Sequence, residues 1–346
     1  MTDVLLAITL LWSFIFIYAV AATIDFGAGF WSMFYINRQK KTKATNIANR
    51  YLSPSWKITN VFIVLIVVAL VTLFPGAAFS LGTVLLLPAS FIVLLLALRS
   101  AFLVFSHAVK DYQRMLSYVS GISGFLIPAL LILTLPISQG GFIEIIAGVE
   151  QLQLGKLLSS PHAYAFIGFA VSSTLFLSSL LLADYSNASD AEETYYIYRK
   201  DAIILGPVTL LMAFFIVQTM QFEATWMYNN LLEHVPWLIA SVALFALGYS
   251  ALFMSSTQGK ALKGRPRLAV VAIILQYLAA SYAYGRAHLP YIVYPNVTIE
   301  SSFTDPNTFR AMFIVYIISF AILIPGFIYF WKLFMKDKRY LKQKES

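Results

Sequence analysis

Asp25 is the acidic residue placed deepest within an apolar run of this sequence. Arg38, the next charged residue, lies about 20 Å further along a helix at ~1.5 Å per residue, and Gly27 and Gly29 lie between them. A charged side chain inside a membrane is costly and is a functional candidate by default. Asp25 therefore has two interpretations: a proton-carrying carboxylate, or a charge neutralised by a neighbouring helix or a second subunit.

Three more polar residues lie within or beside apolar runs. Arg99 closes the third run, either as an anchor whose charge reaches the membrane surface or as half of an ion pair between helices. Lys57 fits an anchor at the start of the second run, and Asn60 requires only a hydrogen bond to another helix. With Asp25, these residues are the candidates for a proton path or for helix packing. We predict no catalytic, cofactor-binding or metal-binding residue.

The four histidines bear on haem ligation. His107, His162, His234 and His288 all fall at the ends of apolar runs, and cysteine is absent. A haem bound between helices by two histidines requires rings that point inward at a similar depth. Phosphate-binding loops and metal-ligand spacings are also missing. We therefore predict that this chain itself binds no haem and no metal.

The elements that carry these residues follow from composition. The 346 residues are 60% hydrophobic and 12% charged, whereas a soluble surface requires roughly a quarter charged residues. The sequence therefore predicts an all-α integral membrane protein. Nine apolar segments are long enough to cross a bilayer of roughly 30 Å. They are Val4–Ile36, Ile58–Phe74, Leu81–Leu98, Met115–Leu135, Ala163–Ala183, Ala202–Met220, Val235–Met254, Leu268–Tyr284 and Ala311–Phe330.

Lysine and arginine set the orientation of these segments. If the loop after the first segment is cytoplasmic, all 24 basic residues except Lys156, Arg286 and Arg310 lie inside. This strong positive-inside bias predicts an outside N-terminus and a cytoplasmic C-terminus. The net charge of +8 then lies against anionic lipid. A nucleic-acid partner is not expected.

Short connections between the segments favour a single transmembrane domain over residues 1–346. The spacing fits a first four-helix bundle over residues 1–136, a second over 160–285 and a peripheral ninth helix over 310–332. A proton-coupled secondary transporter using Asp25 is one function open to such a chain. A supporting subunit of a redox complex is the other.

Four motifs lie within the apolar segments or beside them: AVAATIDFGAGF at Ala19–Phe30, PSWKITNVF at Pro54–Phe62, Leu98-Arg99, and LPYIVYP at Leu289–Pro295. Together they resemble subunit II of cytochrome bd-type quinol oxidases. The first motif is similar to the family's Asp-x-Gly-x-Gly in its first helix. Residues Pro54–Phe62 read PSWKITNVF, similar to its Pro-His-Trp-Asp-Gly-Asn-Gln-Val-Trp before helix two. Leu98-Arg99 takes the place of its Phe-Arg after helix three, and Leu289–Pro295 resembles its Phe-Pro turn after helix eight. The order and placement of the motifs carry the resemblance.

Two departures from the family pattern affect proton chemistry. Ala22 and Lys57 stand where the family has acids that are linked to proton uptake towards the oxygen-reducing haem. Asp25 would be the surviving carboxylate of such a route. The departures fit a divergent branch whose substrate is menaquinol.

The resemblance implies a specific complex in the bacterial cytoplasmic membrane. Subunit I would carry two haems b and one haem d, oxidise quinol and reduce O₂ to water. This chain would pack beside subunit I as a haem-free scaffold, often with a small single-helix third subunit. In some members subunit II also holds a structural quinone or contributes to proton or oxygen access.

Overall fold

The computed structural model describes residues 2–36, 42–105, 113–255 and 263–336. These residues form fourteen helices and two small antiparallel hairpins. The helices are α1 (Asp3–Ile36), α2 (Thr42–Leu73), α3 (Pro75–Val84), α4 (Leu86–Phe105), α5 (Gln113–Leu131), α6 (Thr134–Ser138), α7 (Leu154–Ser159), α8 (Pro161–Ala188), α9 (Glu192–Glu223), α10 (Thr225–Leu232), α11 (Val235–Ser250), α12 (Pro266–His288), α13 (Ile299–Ser302) and α14 (Pro306–Lys336). The strands are β1 (Ile143–Ile146), β2 (Val149–Leu152), β3 (Tyr291–Val293) and β4 (Val297–Thr298).

Membrane-spanning helices dominate the described part of the chain. Seven of its helices are long and apolar enough to cross a bilayer, or eight if the bent pair α10–α11 counts as one span. The predicted second span falls on a shorter apolar stretch, Thr59–Leu73. The chain is thus an all-α, multi-pass membrane protein. The number nine and the orientation of the termini stay predictions.

Proline explains two breaks between consecutive helices. The third predicted span is interrupted, since α4 begins at Leu86 and not at Leu81; the seventh begins at Val235 as predicted, directly after α10, which is bent from α11 by 79°. A proline ring clashes with the carbonyl four residues earlier. Four residues before Pro88 is Val84, the last residue of α3, and four before Pro236 is the last residue of α10.

Helix α8 lies at the centre of the packing. Within its most apolar stretch 72% of the residues are buried, against 11–33% in the other six spans. Helix α8 packs against α1, α9 and α12, while α1 also packs against α2 and α5. Helix α14 contacts α1 and α2 and is the least buried span. The division into two four-helix bundles remains a prediction.

Glycines allow α1 to approach α8 and α5 closely. A Cβ added to Gly27 would lie 2.1 Å from Ser178 Oγ of α8. A Cβ added to Gly124 of α5 would lie 2.3 Å from the Phe26 carbonyl oxygen. Such contacts let helix backbones meet in a membrane, where small residues are favoured at interfaces.

The hairpins lie in the two longest of the connections predicted to be outside. Strands β1 and β2 turn at Ala147 and Gly148, whose φ angles are +53° and +80°. Two positive φ values match the twist of a tight two-residue hairpin, and glycine adopts one without cost. Strands β3 and β4 form the second hairpin, between α12 and α13. Both hairpins pack against α3, and β3 also packs against α6.

Candidate functional site

Asp25 of α1 and Arg99 of α4 form an ion pair inside the helix bundle. Arg99 Nη2 lies 3.3 Å from Asp25 Oδ1 and donates to the Asp25 carbonyl oxygen at 2.8 Å. The side chains are only 2% and 3% exposed. Of the two interpretations of Arg99, this geometry matches the interhelical pair and not the surface anchor.

Helix α5 supplies the other partners of the guanidinium. Arg99 Nη1 donates to the Ser120 carbonyl oxygen and lies 3.4 Å from Ser123 Oγ. The Phe26 ring lies beneath the same cation, 5.3 Å from Cζ to the ring centroid. Asp25, Arg99, Ser120 and Ser123 together are called the ion-pair site below. The site joins three helices at one depth.

The pairing is incomplete in two places. Among the described residues, neither Arg99 Nε nor Ser120 Oγ has a hydrogen-bond partner, although both atoms are buried. An unpaired buried polar atom costs about 1–3 kcal/mol. Breaking a buried ion pair by removing one partner costs about 3–5 kcal/mol. The ion-pair site can therefore hold α1, α4 and α5 in register, because a shift of any of these helices would break buried contacts at such a cost in free energy.

The remaining predicted residues lie elsewhere on α2. Asn60 is half-buried, and its neighbour Thr59 lies 3.4 Å from the Ala21 carbonyl oxygen of α1. Lys57 belongs to α2, but its side chain falls outside the described part of the structure. The structure therefore brings together two of the four candidates.

The two buried histidines use both of their ring nitrogens within the protein. His162 Nε2 lies 2.7 Å from Gln139 Oε1, and Nδ1 lies 2.8 Å from Thr219 Oγ1. His288 Nδ1 donates to the Tyr291 carbonyl oxygen at 2.8 Å, and Nε2 lies 3.2 Å from Ser138 Oγ. Axial ligation of iron requires a free ring nitrogen. Neither ring fits that role without losing a partner.

The other two histidines give less information. His234 precedes α11 and is half-buried. His107 lies outside the described residues. In the described ranges, no three His, Asp or Glu side chains are grouped so that they could hold a metal ion.

A second buried polar group was not predicted from the sequence. Gln139, just after α6, contacts His162 and donates from Nε2 to Tyr284 OH at 2.8 Å. Its carbonyl oxygen accepts from Trp226 Nε1 at 2.9 Å. Gln139, His162, Thr219 and Tyr284 are called the Gln139 network below. Its members come from four parts of the chain that join at the predicted outside end.

Glu223 extends this group to the first turn of α8. Its carboxylate accepts from the His162 backbone N–H at 3.1 Å and from the Ser160 hydroxyl. The first N–H groups of a helix have no intrahelical partner, and the helix dipole favours a negative charge there. The last residue of α9 therefore caps the beginning of α8.

Asp201 links α9 to α1. The predicted sixth segment begins at Ala202, which would place Asp201 at a helix start, but α9 begins at Glu192, so Asp201 lies more than two turns inside the helix. There its carboxylate accepts a hydrogen bond from the buried Tyr35 hydroxyl of α1. The contact joins α1 to α9 at the predicted cytoplasmic end.

Comparison with known proteins gives consistent results along the chain. Residues 4–334 match the family model described as cytochrome bd terminal oxidase subunit II. A protein of Bacillus subtilis (strain 168), the putative cytochrome bd menaquinol oxidase subunit II, is 58% identical over 344 residues, which cover 99% of each chain.

A solved structure agrees with both. The chain superimposes on a chain of the bd oxidase from Geobacillus thermodenitrificans with a TM-score of 0.80 and 33% identity, over 98% of this chain and 100% of the other. The helix order, the motifs around Asp25 and Arg99, and these full-length matches lead to one assignment. This multi-pass membrane protein belongs to the cytochrome bd terminal oxidase subunit II family.

Proposed function

We propose that this chain is the haem-free supporting subunit of a quinol:O₂ oxidoreductase, in which subunit I oxidises quinol and reduces O₂ to water. The observation that carries the proposal is that the two histidines buried in the described part of the chain, His162 and His288, bond to protein partners through both ring nitrogens. Electron transfer would then occur on haems held by the companion chain. Menaquinol is the proposed substrate, in keeping with the printed name of the Bacillus relative.

The supporting role rests on how rigidly α1 is held. The ion-pair site fixes α1 against α4 and α5, and Gly27 brings it against α8. A rigid surface of this kind can position a partner's helices without supplying any ligand. Nine spans in two four-helix bundles, an outside N-terminus and a cytoplasmic C-terminus complete the proposal.

The proposed complex follows the family pattern. Subunit I would hold two haems b and one haem d, and a small single-helix subunit would accompany it. Lipid surrounds the exposed faces of α4 and α14, whose outward side chains are almost all apolar. A structural quinone in this chain, and a contribution to proton or oxygen access, are further parts of the proposal.

Asp25 is assigned to helix packing within this proposal. A proton carrier must gain and lose charge, whereas Arg99 stays protonated and lies against the carboxylate. The same contact weakens the transporter alternative, because the acid that a transporter would use is already paired within the chain. An Asp25→Asn variant should therefore weaken association with subunit I more than it slows quinol oxidation in the complexes that remain intact.

The decisive experiment is purification of the tagged chain from its native membrane. We expect subunit I to co-purify with visible bands of haem b and haem d, and with quinol-driven oxygen consumption. A stable haem-free homo-oligomer that moves a solute would contradict the proposal.

A variant set tests the absence of haem ligation separately. Replacing all four histidines with glutamine should leave the haem spectrum of the complex intact. Loss of one haem band while both subunits remain would identify a histidine of this chain as a ligand.

A further inference from the structure

Arg199 of α9 is a half-buried cation whose position is fixed by the chain that follows α11. Its Nε donates to the Leu252 carbonyl oxygen at 2.8 Å. Its guanidinium lies over the ring of Phe253, with 5.6 Å from Cζ to the ring centroid. The two terminal nitrogens have no hydrogen-bond partner within the described part of the chain. They are therefore held in place with their donors directed to a ligand outside the protein.

Arg265, just before α12, is fixed to the same turn after α11. Its Nε donates to the Ser255 carbonyl oxygen at 3.0 Å, and its backbone N–H donates to the Ala251 carbonyl oxygen at 2.7 Å. The preceding Gly264 adjoins the first arginine, because a Cβ added to it would lie 3.4 Å from Arg199 Nε. Two guanidinium groups are thus anchored through Nε to one short stretch of backbone.

The charge of these two arginines is not balanced by the described residues. Neighbouring basic residues do have acidic partners: Arg267 pairs with Asp184 at 3.4 Å, and Lys43 pairs with Glu193 at 3.0 Å. Neither of the two anchored arginines takes part in an ion pair within the described ranges. Charge complementarity therefore favours an anionic ligand at this place.

Both arginines lie at the level where the membrane begins, at the predicted cytoplasmic end. Arg199 comes three residues before Ala202, the start of the predicted sixth span, and Arg265 comes three residues before Leu268, the start of the predicted eighth. Helices α9 and α11 meet at the same end, where Tyr249 OH donates to the Ile203 carbonyl oxygen at 3.0 Å. The two cations are therefore at the depth of lipid head groups.

Beyond the arginines, α9 and α11 present large apolar side chains on their outer surfaces. The outward side chains are 39–56% exposed and comprise Ile204, Val208 and Leu211 of α9 and Val242 and Leu247 of α11. Lipid tails are as apolar as these side chains and are their natural neighbours in a membrane. The surface thus combines anchored cations at the head-group level with apolar contacts for acyl chains.

We propose that Arg199 and Arg265 bind the head group of an anionic phospholipid whose acyl chains lie against α9 and α11. A guanidinium matches a phosphate with two parallel hydrogen bonds. Basic pockets between membrane helices on the cytoplasmic side bind anionic head groups in the same way. A zwitterionic lipid brings its own cation, so its attraction to the site is weaker. The inference does not depend on the proposed function, because it concerns only this chain and lipid.

Native mass spectrometry of the purified complex tests the inference. The complex is titrated with phosphatidylglycerol and with phosphatidylcholine of the same acyl chains. Arg199→Gln and Arg265→Gln should each weaken phosphatidylglycerol binding about fivefold, and the double variant at least about tenfold. Phosphatidylcholine binding should not change. A double variant that binds phosphatidylglycerol like the wild type would overturn the proposal.

Arg286→Gln is the matched control. Arg286 is an exposed cation in the last turn of α12, about 30 Å along the helix from Arg265 at ~1.5 Å per residue. The variant loses the same net charge at a distant place, so phosphatidylglycerol binding should stay at the wild-type level. If binding falls as much as in Arg265→Gln, net charge and not the proposed site attracts the lipid.

A soluble probe separates a lipid site from a phosphate site. Glycerol 3-phosphate carries the charge of the head group without acyl chains. We expect millimolar glycerol 3-phosphate to leave bound phosphatidylglycerol in place, because the contacts with α9 and α11 are absent from the probe. Complete displacement would show that a free phosphate is the ligand and would contradict the proposal.

A measurement on the wild type covers the case in which a variant fails to fold. A cryo-electron microscopy map of the complex in nanodiscs that contain phosphatidylglycerol should show a lipid along α9 and α11 with its head group at Arg199 and Arg265. Well-ordered arginines without such density would overturn the proposal. A helix of a partner subunit in this place would do the same.

Discussion

The ion-pair site and the Gln139 network are both buried and polar, but they are built in opposite ways. In the first, one cation carries every contact, and its partners are a carboxylate and the groups of one neighbouring helix. In the second, neutral side chains from four segments of the chain make one or two hydrogen bonds each to other members. Substitution of one residue should therefore lower the free energy of unfolding strongly in the ion-pair site and only slightly in the Gln139 network. The stabilisation from the ion-pair site thus depends on one residue, Arg99, whereas that from the Gln139 network is shared among several residues.

The largest effect is expected from Arg99→Leu. The substitution leaves Asp25 charged, buried and unpaired, so the free energy of unfolding should fall by about 3–5 kcal/mol. Denaturant or thermal unfolding of the purified complex measures the loss. The Asp25→Leu/Arg99→Leu double variant removes both charges and should recover most of it. If the double variant is as unstable as the single one, charge is not the dominant contribution.

A smaller effect is expected from Gly124→Ala, which leaves the charges in place. The new Cβ would lie 2.3 Å from the Phe26 carbonyl oxygen, so α1 and α5 must separate, at a cost of about 1–3 kcal/mol. Gly82→Ala is the matched control, because a Cβ on this α3 glycine meets nothing within 4 Å. The control should be neutral or stabilising by up to about 1 kcal/mol. If both variants lose the same free energy of unfolding, the close approach of α1 and α5 is not the cause of the loss.

The Gln139 network should respond more weakly. Tyr284→Phe removes one hydrogen bond from Gln139 Nε2 and leaves the ring stacked on Trp12. We expect a loss of about 0.5–1.5 kcal/mol in the free energy of unfolding. Tyr164→Phe removes an exposed hydroxyl bonded to the Leu158 carbonyl oxygen and should change stability by less than about 0.5 kcal/mol. If Tyr284→Phe lowers the free energy of unfolding as much as Arg99→Leu does, the stability of the network also depends on one residue.

The smallest effect is expected at Asp305, an exposed carboxylate that contrasts with both buried groups. Its Oδ1 accepts from the N–H groups of Asn307 and Thr308 at the start of α14. Hydrogen bonds from Thr308 lower the pKa of Asp305 below its ordinary value of 3.8. The stabilisation is therefore present above that value and is lost as pH falls through the lowered pKa. The difference in melting temperature between wild type and Asp305→Ala should be constant near neutral pH and shrink below about pH 4.

The sequence indicates the members of the ion-pair site but not their pairing. A carboxylate within an apolar run is conspicuous because its burial is costly, and Arg99 stands out for the same reason. Their contact joins residues 74 positions apart, and no local pattern encodes such a distance. The same sequence left Arg99 with two interpretations, because a long cation at a helix end is also suited to reach the surface.

The Gln139 network lies beyond sequence reasoning for a different reason. Its residues are neutral and lie near the ends of spans, where polar side chains are ordinary. Only the packing of the outside connections brings Gln139 against Tyr284, 145 positions away. By contrast, the breaks before α4 and α11 could have been predicted, since Pro88 and Pro236 each lie four residues after the end of a helix. Helix breaks caused by proline can be predicted from the local sequence, whereas contacts between residues far apart in the sequence cannot.

The order in which the ion pair is made has a consequence for biosynthesis. Asp25 is translated 74 residues before Arg99, an interval of roughly 4–15 s at the usual ~5–20 residues per second. Throughout that interval Asp25 lacks its partner Arg99, and insertion of an unpaired carboxylate at the centre of a bilayer costs about 2.5–3.5 kcal/mol. The nascent chain therefore depends on being retained beside the insertion machinery until its cation emerges. Slow codons between the two residues should lengthen that exposure and lower the yield of inserted protein.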